Sequence, residues 1–116
     1  MIIKSIDRIE KRPMDMEGAQ NVAKQLLIGS AEGTPLMSFR VFTIAPGGNT
    51  PHHHHPFEHI NFIIEGEGAV VDERGKEHKL KKGDFVLVQP DEKHQYRNTS
   101  GSADFVMICA VPKEYE

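Results

Sequence analysis

Pro46-Gly47-Gly48-Asn49-Thr50-Pro51-His52-His53-His54-His55-Pro56-Phe57-Glu58-His59, answered downstream by Pro90-Asp91-Glu92-Lys93-His94, is the stretch on which the reading of this chain turns. Four of the seven histidines stand side by side, and two more follow at spacings that a folded sheet could bring to one point. Neutral imidazole is the commonest protein ligand for a transition metal, so a mononuclear metal site is the leading hypothesis. In extended chain only alternate side chains share a face. Either His52 and His54 point inward together or His53 and His55 do, and a slip of one residue exchanges the sets. Local spacing leaves both registers open. His59 lies four residues after His55, with Pro56 and Phe57 available for a bend, and His94 comes from a later strand.

Outward from these histidines, short apolar stretches are cut by turn chemistry at a regular beat, the signature of an all-β sandwich or barrel. The segments 36–45, 58–65, 69–72, 77–80, 85–88, 95–98 and 104–111 are rich in β-branched and aromatic residues, and each has strand length. Pro46-Gly47-Gly48, Glu65-Gly66-Glu67-Gly68, Arg74-Gly75-Lys76, Lys82-Gly83-Asp84, Gln89-Pro90-Asp91 and Thr99-Ser100-Gly101 read as the turns between them. The stretch 19–28 suits a helix by composition, but Val22, Lys24, Leu26 and Ile28 alternate with Ala23, Gln25 and Leu27, which favours a strand. Residues 10–18 read as a connection, so residues 1–20 supply an N-terminal strand and connection and residues 22–112 the barrel, all in one domain.

At 116 residues the chain is long enough to bury roughly two thirds of its unfolded surface without staples. A net charge of -3, with both signs interspersed, offers no basic stripe for a phosphate backbone and excludes nucleic acid as the expected partner. The single cysteine, Cys109, precludes an intramolecular disulfide framework, and Met1-Ile2-Ile3-Lys4-Ser5 lacks the pattern of a signal peptide. With no apolar run long enough to cross a bilayer, a cytoplasmic protein without a membrane partner is expected.

In its motif spacing the chain resembles the cupin superfamily of small β-barrels. The first cupin motif is a glycine, five residues, His-x-His, three or four residues, a glutamate, six residues and a glycine. Gly47, His53, His55, His59 and Gly66 match it, with His59 where the glutamate usually stands. Gly83, Pro90, His94 and Asn98 resemble the second motif, with Glu92 where a glycine is usual and one residue fewer between proline and histidine. The resemblance implies a jelly-roll, or double-stranded β-helix, barrel of the small single-domain (cupin 2) type. It also selects the 53/55 register and implies a four-imidazole ligand set, His53, His55, His59 and His94, around one divalent transition metal per chain, Mn, Fe, Ni or Zn. Four neutral ligands leave the charge of such an ion uncompensated, which would attract an anionic or oxygen-donor ligand and acidify bound water.

Alternation places His52 and His54 outward, His78 on plain surface, and Glu58 facing away from His59. Asn61 shares a face with His59, and Tyr96 with His94, so both could line the cavity, with core packing of the tyrosine ring as the alternative. Met107 and Cys109 share one face of the last strand, the thiol reading as a small buried apolar group with oxidation beside a metal as its other possible role. Arg40 is a charge inside an apolar strand; on the outer face it would be solvated, and the resemblance implies instead a pocket position where it could hold a substrate carboxylate. Arg40, Asn61, Tyr96, Met107 and Cys109 are thus the candidate substrate pocket, with no catalytic residue assigned. Asn98 reads as a turn anchor.

The resemblance implies a metalloenzyme acting on a small oxygenated organic molecule such as a sugar acid, keto acid or dicarboxylate, of dioxygenase, isomerase, lyase or decarboxylase type. The missing carboxylate ligand counts against decarboxylation through a metal-bound glutamate. A non-catalytic binding or sensing module, or a metal-sequestering protein, is the alternative. Small cupins also imply a homodimer paired through the outer sheet, with Met1 to Ile9 and Val22 to Ile28 as the segments that would pair.

Overall fold

A computed structural model describes residues 1–116. The chain is built from strands joined by turns, with three single-turn 3₁₀ segments at Ile6–Arg8, Ser30–Glu32 and Lys113–Tyr115. The strands are β1 (Arg12–Pro13), β2 (Gln20–Ile28), β3 (Met37–Asn49), β4 (His59–Glu65), β5 (Glu67–Val71), β6 (Glu77–Lys81), β7 (Phe85–Val88), β8 (Gln95–Asn98) and β9 (Phe105–Pro112). They form one antiparallel sheet in the order β6-β5-β8-β3-β9-β4-β7, with β2 on β3 and β1 on β2. The sheet curls into a half-barrel of the jelly-roll type.

The long strand β3 makes the curl possible. Its first part pairs with β2 and β9, while its end, Asn49, reaches across to Arg97 of β8. Pro46-Gly47-Gly48, expected as a turn that closes a strand at residue 45, is instead an irregularity inside β3. Gly47 takes a φ of +76°, which lets the strand bend without ending, and the register with β2 shifts at the same level. β5 likewise starts earlier than expected, at Glu67, because the turn is compressed onto Gly66. Gly66 has a φ of +82°, and a Cβ there would collide with the main-chain oxygen of Asp104.

The alternating segment 20–28 is strand, as its pattern implies. The N-terminal strand is shorter than expected: residues 1–9 are exposed or partly exposed chain around a 3₁₀ turn, and only Arg12–Pro13 pairs, with Lys24 and Ala23. Gln25 explains the path of the first segment, since its Nε2 donates to the carbonyls of Ile6 (2.8 Å) and Ile9 (2.7 Å). This places Ile9 against Leu27, Val41 and Val106 on the outer face.

Inside the curl the register stacks the inward side chains in layers. Arg40, Cys109 and Asn61 are cross-strand neighbours on β3, β9 and β4, and Phe42, Met107 and Ile63 form the next row. Ile44 and Phe105 pair in a third row. Together with Val22 and Tyr96 most of these residues make the main buried core, each large side chain contributing about 1.5–3 kcal/mol on burial. His59 stands two residues above Asn61 on β4, so the apolar floor lies beneath a polar layer, and the polar layer beneath the histidines.

Candidate functional site

The run 52–55 is not a regular strand but is held as one. His53 and His94 exchange main-chain hydrogen bonds (3.1 and 2.9 Å), the Thr50 N–H donates to the Tyr96 carbonyl (2.9 Å), and the Asp91 N–H donates to the His55 carbonyl (2.7 Å). Extended backbone on this ladder turns His53 and His55 inward and leaves His52 and His54 exposed. Pro56 and Phe57 then bend the chain so that β4 begins with His59, which is 5% exposed; His94, just before β8, is 4% exposed. The expected 53/55 register is the observed one.

The four rings gather in one place. Ring centroids lie 5.2 Å apart for His53 and His55, 5.1 Å for His53 and His94, 5.0 Å for His55 and His94, and 4.9 Å for both His55–His59 and His59–His94. One ring nitrogen from each of His53, His55 and His94 lies within 4.8 Å of the others, a group that could hold an ion. His59 is not part of that three-histidine group, but its Nε2 lies 3.2 Å from Nε2 of His94.

Hydrogen bonding decides which nitrogen faces that centre. Nδ1 of His55 lies 2.9 Å from the Phe57 carbonyl, Nδ1 of His94 lies 2.8 Å from the Glu92 carbonyl, and Nδ1 of His59 lies 2.5 Å from Oδ1 of Asn61. A carbonyl oxygen only accepts, so each Nδ1 carries the proton and each Nε2 presents a bare lone pair. The Asn61 amide is itself oriented by donating Nδ2–H to the Met107 sulfur at 3.3 Å. Two lone pairs facing each other at 3.2 Å repel unless a cation or proton lies between them. Metal–nitrogen bonds of about 2.0–2.1 Å give ligand–ligand edges of about 2.9–3.4 Å, so the His59–His94 spacing fits a shared ion.

Burial keeps the rings neutral. His59 is pushed down to about 3, first by burial and then by the facing His94; His53 is pushed down to about 4 by burial and His94. His55 and His94 are also lowered, mainly by burial, although their carbonyl partners act the other way. These are the unprotonated donors that a metal requires.

Around the cluster lies a cavity of about 450 Å³ that includes His53, His55, His59, His94, Arg40, Asn61, Tyr96, Met107 and Cys109 in its lining. All the candidate site residues thus share one pocket. Burial pushes the Cys109 thiol up despite the neighbouring Arg40, so it is a thiol rather than a thiolate. His78 bonds Asp72 on the surface (2.9 Å), Glu58 is exposed, and Asn98 donates to the Ile44 and Ala103 carbonyls as a turn anchor.

Several lining residues escaped the sequence reading. Phe57 stacks on His55 with centroids 4.0 Å apart, and Tyr115 stacks on Phe57, also at 4.0 Å. Nothing local in residues 113–116 signals that contact. Lys24 had a readable signal: it is a charge among the alternating apolar residues of β2, as Arg40 is on β3. Its ammonium enters the same cavity and donates to the main-chain oxygen of Glu116 at 2.6 Å.

A family model described as a cupin domain matches residues 40–111. L-ectoine synthase of Saccharopolyspora erythraea is 27% identical over 100 residues, covering 84% of this chain and 71% of that protein. Gentisate 1,2 dioxygenase 1 of Aquipseudomonas alcaligenes is 33% identical over 57 residues, but these are 49% of this chain and 16% of the larger protein. Among solved structures, the polyketide cyclase RemF from Streptomyces resistomycificus superimposes with a TM-score of 0.90 at 21% identity, over 97% of this chain and 79% of that one. A predicted oxalate decarboxylase from Thermotoga maritima gives 0.82 at 24% identity, over 97% and 99%. At these identities the structural likeness is one of fold.

Proposed function

The chain belongs to the cupin family, and from that premise we propose that it is a metal-dependent enzyme acting on a small oxygenated organic molecule. His53, His55, His59 and His94 would hold one divalent transition ion, of the Mn, Fe, Ni or Zn kind that imidazole suits. The observation that carries this reading is the pair of bare Nε2 atoms of His59 and His94 at 3.2 Å, each with its Nδ1 proton tied back. When bound, such an ion polarises oxygen donors and acidifies water.

The chain's own groups do the rest. Asn61 and the Phe57 and Glu92 carbonyls hold three imidazoles in the ligating tautomer. Met107, Phe42 and the stacked Phe57 and Tyr115 supply apolar wall that limits water. Glu116 is the one carboxylate in the lining, and it accepts from the Ser30 N–H (3.0 Å) and the Ser38 hydroxyl. No free carboxylate therefore lines the pocket beside these four histidines to carry a proton, which weighs against decarboxylation by that route and is neutral towards oxygen chemistry. We also propose a homodimer through the outer sheet, where Phe39, Ile60 and Leu87 lie in one cross-strand row and are 43%, 44% and 53% exposed.

Metal analysis of the purified protein tests the reading. About one ion per chain is expected. His53→Ala and His94→Ala should lose it, whereas His52→Ala and His78→Ala should keep it. Loss from His52→Ala equal to that from His53→Ala would refute the assignment. With the metal present, oxygen uptake and product analysis over a panel of hydroxy, keto and dicarboxylic acids separate an enzyme from a module that binds and leaves its ligand unchanged.

A further inference from the structure

None of residues 113–116, which follow β9, is buried, yet Lys113, Tyr115 and Glu116 are each fastened to the rest of the fold. The Lys113 N–H donates to the Leu36 carbonyl at 3.0 Å. Tyr115 stacks on Phe57 and Phe57 on His55, each pair with centroids 4.0 Å apart. The main-chain oxygen of Glu116 accepts from Nζ of Lys24 at 2.6 Å. Its carboxylate accepts from the Ser30 N–H, 3.0 Å from Oε2 and 3.2 Å from Oε1, and from the Ser38 hydroxyl.

The carboxylate rests in a cradle shaped to take it. Gly29 has extended backbone with a φ of −153°, which any residue adopts, so its missing side chain provides space rather than conformation. A Cβ there would come within 2.6 Å of Oε2 of Glu116. The Ser38 hydroxyl, and after it the Ser30 N–H, hold the Glu116 carboxyl below its usual range, so the group is an anion at neutral pH. Tyr115 and Glu116 both line the histidine cavity. Exposed Met16, His54 and Tyr115 mark the mouth of that cavity, whereas Asn61 and Cys109 are buried deeper in it. A segment held by polar contacts and one aromatic stack, with no buried apolar side chain, belongs to the part of a fold that opens at least cost.

We infer that residues 113–116 are a releasable strap across the mouth of the histidine pocket, pinned by the Glu116 carboxylate in the cradle of Gly29, Ser30 and Ser38, and that small molecules pass when the pin lets go. Closed, the strap lays Tyr115 against Phe57, whose ring covers His55 and whose carbonyl accepts from the His55 Nδ1. The position of the strap is thus passed to the histidine cluster through one intervening ring. Open, it withdraws Tyr115 and Glu116 from the lining and widens the way to the deeper residues. Release breaks a few polar contacts and one stack and leaves the strand pairing intact, so the pocket exchanges its contents while the sheet stays folded. The strap governs access whatever the pocket holds, and it stands apart from the metal assignment.

Cys109 provides the reporter. It is the single cysteine of the chain, lines the pocket and is 1% exposed, so its rate of labelling by a small neutral methanethiosulfonate on chelator-treated protein reads access to the pocket without a metal or a substrate. Glu116→Ala removes the pin, whereas Gly29→Ala keeps Glu116 and crowds its carboxylate out of the cradle. Each should speed labelling about tenfold or more, the factor expected on losing hydrogen bonds to a charged group, and should speed hydrogen exchange at the Ser30 N–H by a similar factor. Tyr115→Ala removes the aromatic cover and should speed labelling about threefold or more. The wild-type rate should stay level from zero to about 1 M urea, because release of the strap exposes little surface. A wild-type labelling rate in either Glu116→Ala or Gly29→Ala would overturn the strap. So would a wild-type rate that climbs steeply with urea, since the thiol would then be reached only through global unfolding.

Discussion

Acidification of the metal-free protein should destabilise it well above the range in which carboxylates titrate, and His59 sets the size of the effect. In the unfolded chain its imidazole titrates near 6.5, whereas in the fold it is held at about 3, chiefly by burial and then by His94. Below pH 6.5 the unfolded chain takes up a proton that the folded chain refuses. The stability contribution is therefore complete above about 6.5 and erodes as pH falls towards 3. At pH 5 the difference amounts to about 2 kcal/mol for this one residue, each pKa unit being worth about 1.36 kcal/mol. His53 acts in the same direction, discounted for its partial exposure. Urea denaturation of chelator-treated protein at pH 7.5 and pH 5.0 reads the loss directly, and His59→Gln should show a smaller fall than wild type. Metal-free stability that is flat across this interval would refute the claim that these imidazoles are buried and neutral.

Asn61→Leu removes the acceptor that orients His59, and metal affinity should drop about tenfold to a hundredfold while His53 and His55 stay in place, as measured by competition with a chromophoric chelator. Gly66→Ala forces a Cβ into the Asp104 main chain at a positive φ and should cost more than about 2 kcal/mol in denaturant melts. Leu87→Lys places a charge in the exposed apolar row with Ile60 and Phe39; under the proposed dimer, light scattering should give twice the chain mass for wild type and the single-chain mass for the variant, with the variant's own melting little changed.

The legibility of the chain varied from element to element for physical reasons. Strands such as 59–65 and 105–112 announce themselves as short runs rich in β-branched and other apolar residues between turn residues, because such side chains pack well on a pleated surface. Pro46-Gly47-Gly48 misleads because the residues that make a turn also make a bulge, and only the partner strands on either side distinguish the two. Arg40 and Lys24 carry the same signal, a charge interrupting an apolar alternation, but whether such a charge faces solvent or a cavity depends on what covers that face. Tyr115 has no such signal, since its position is set by a stack on Phe57, 58 residues away in the chain.

By itself, the order of residues determined the strand rhythm, the all-β class and the donors available for an ion, because these follow from local periodicity and from the chemistry of imidazole. Only the tertiary structure decided how those donors are used. Folding brings His94 to His53 through a main-chain pair, points the Nε2 of His59 at that of His94, and turns the Arg40 guanidinium onto the Cys109 sulfur and the Phe42 ring in the same pocket. Such juxtapositions depend on the curl of the sheet and on cross-strand register, which are properties of paired strands and are written in no single segment.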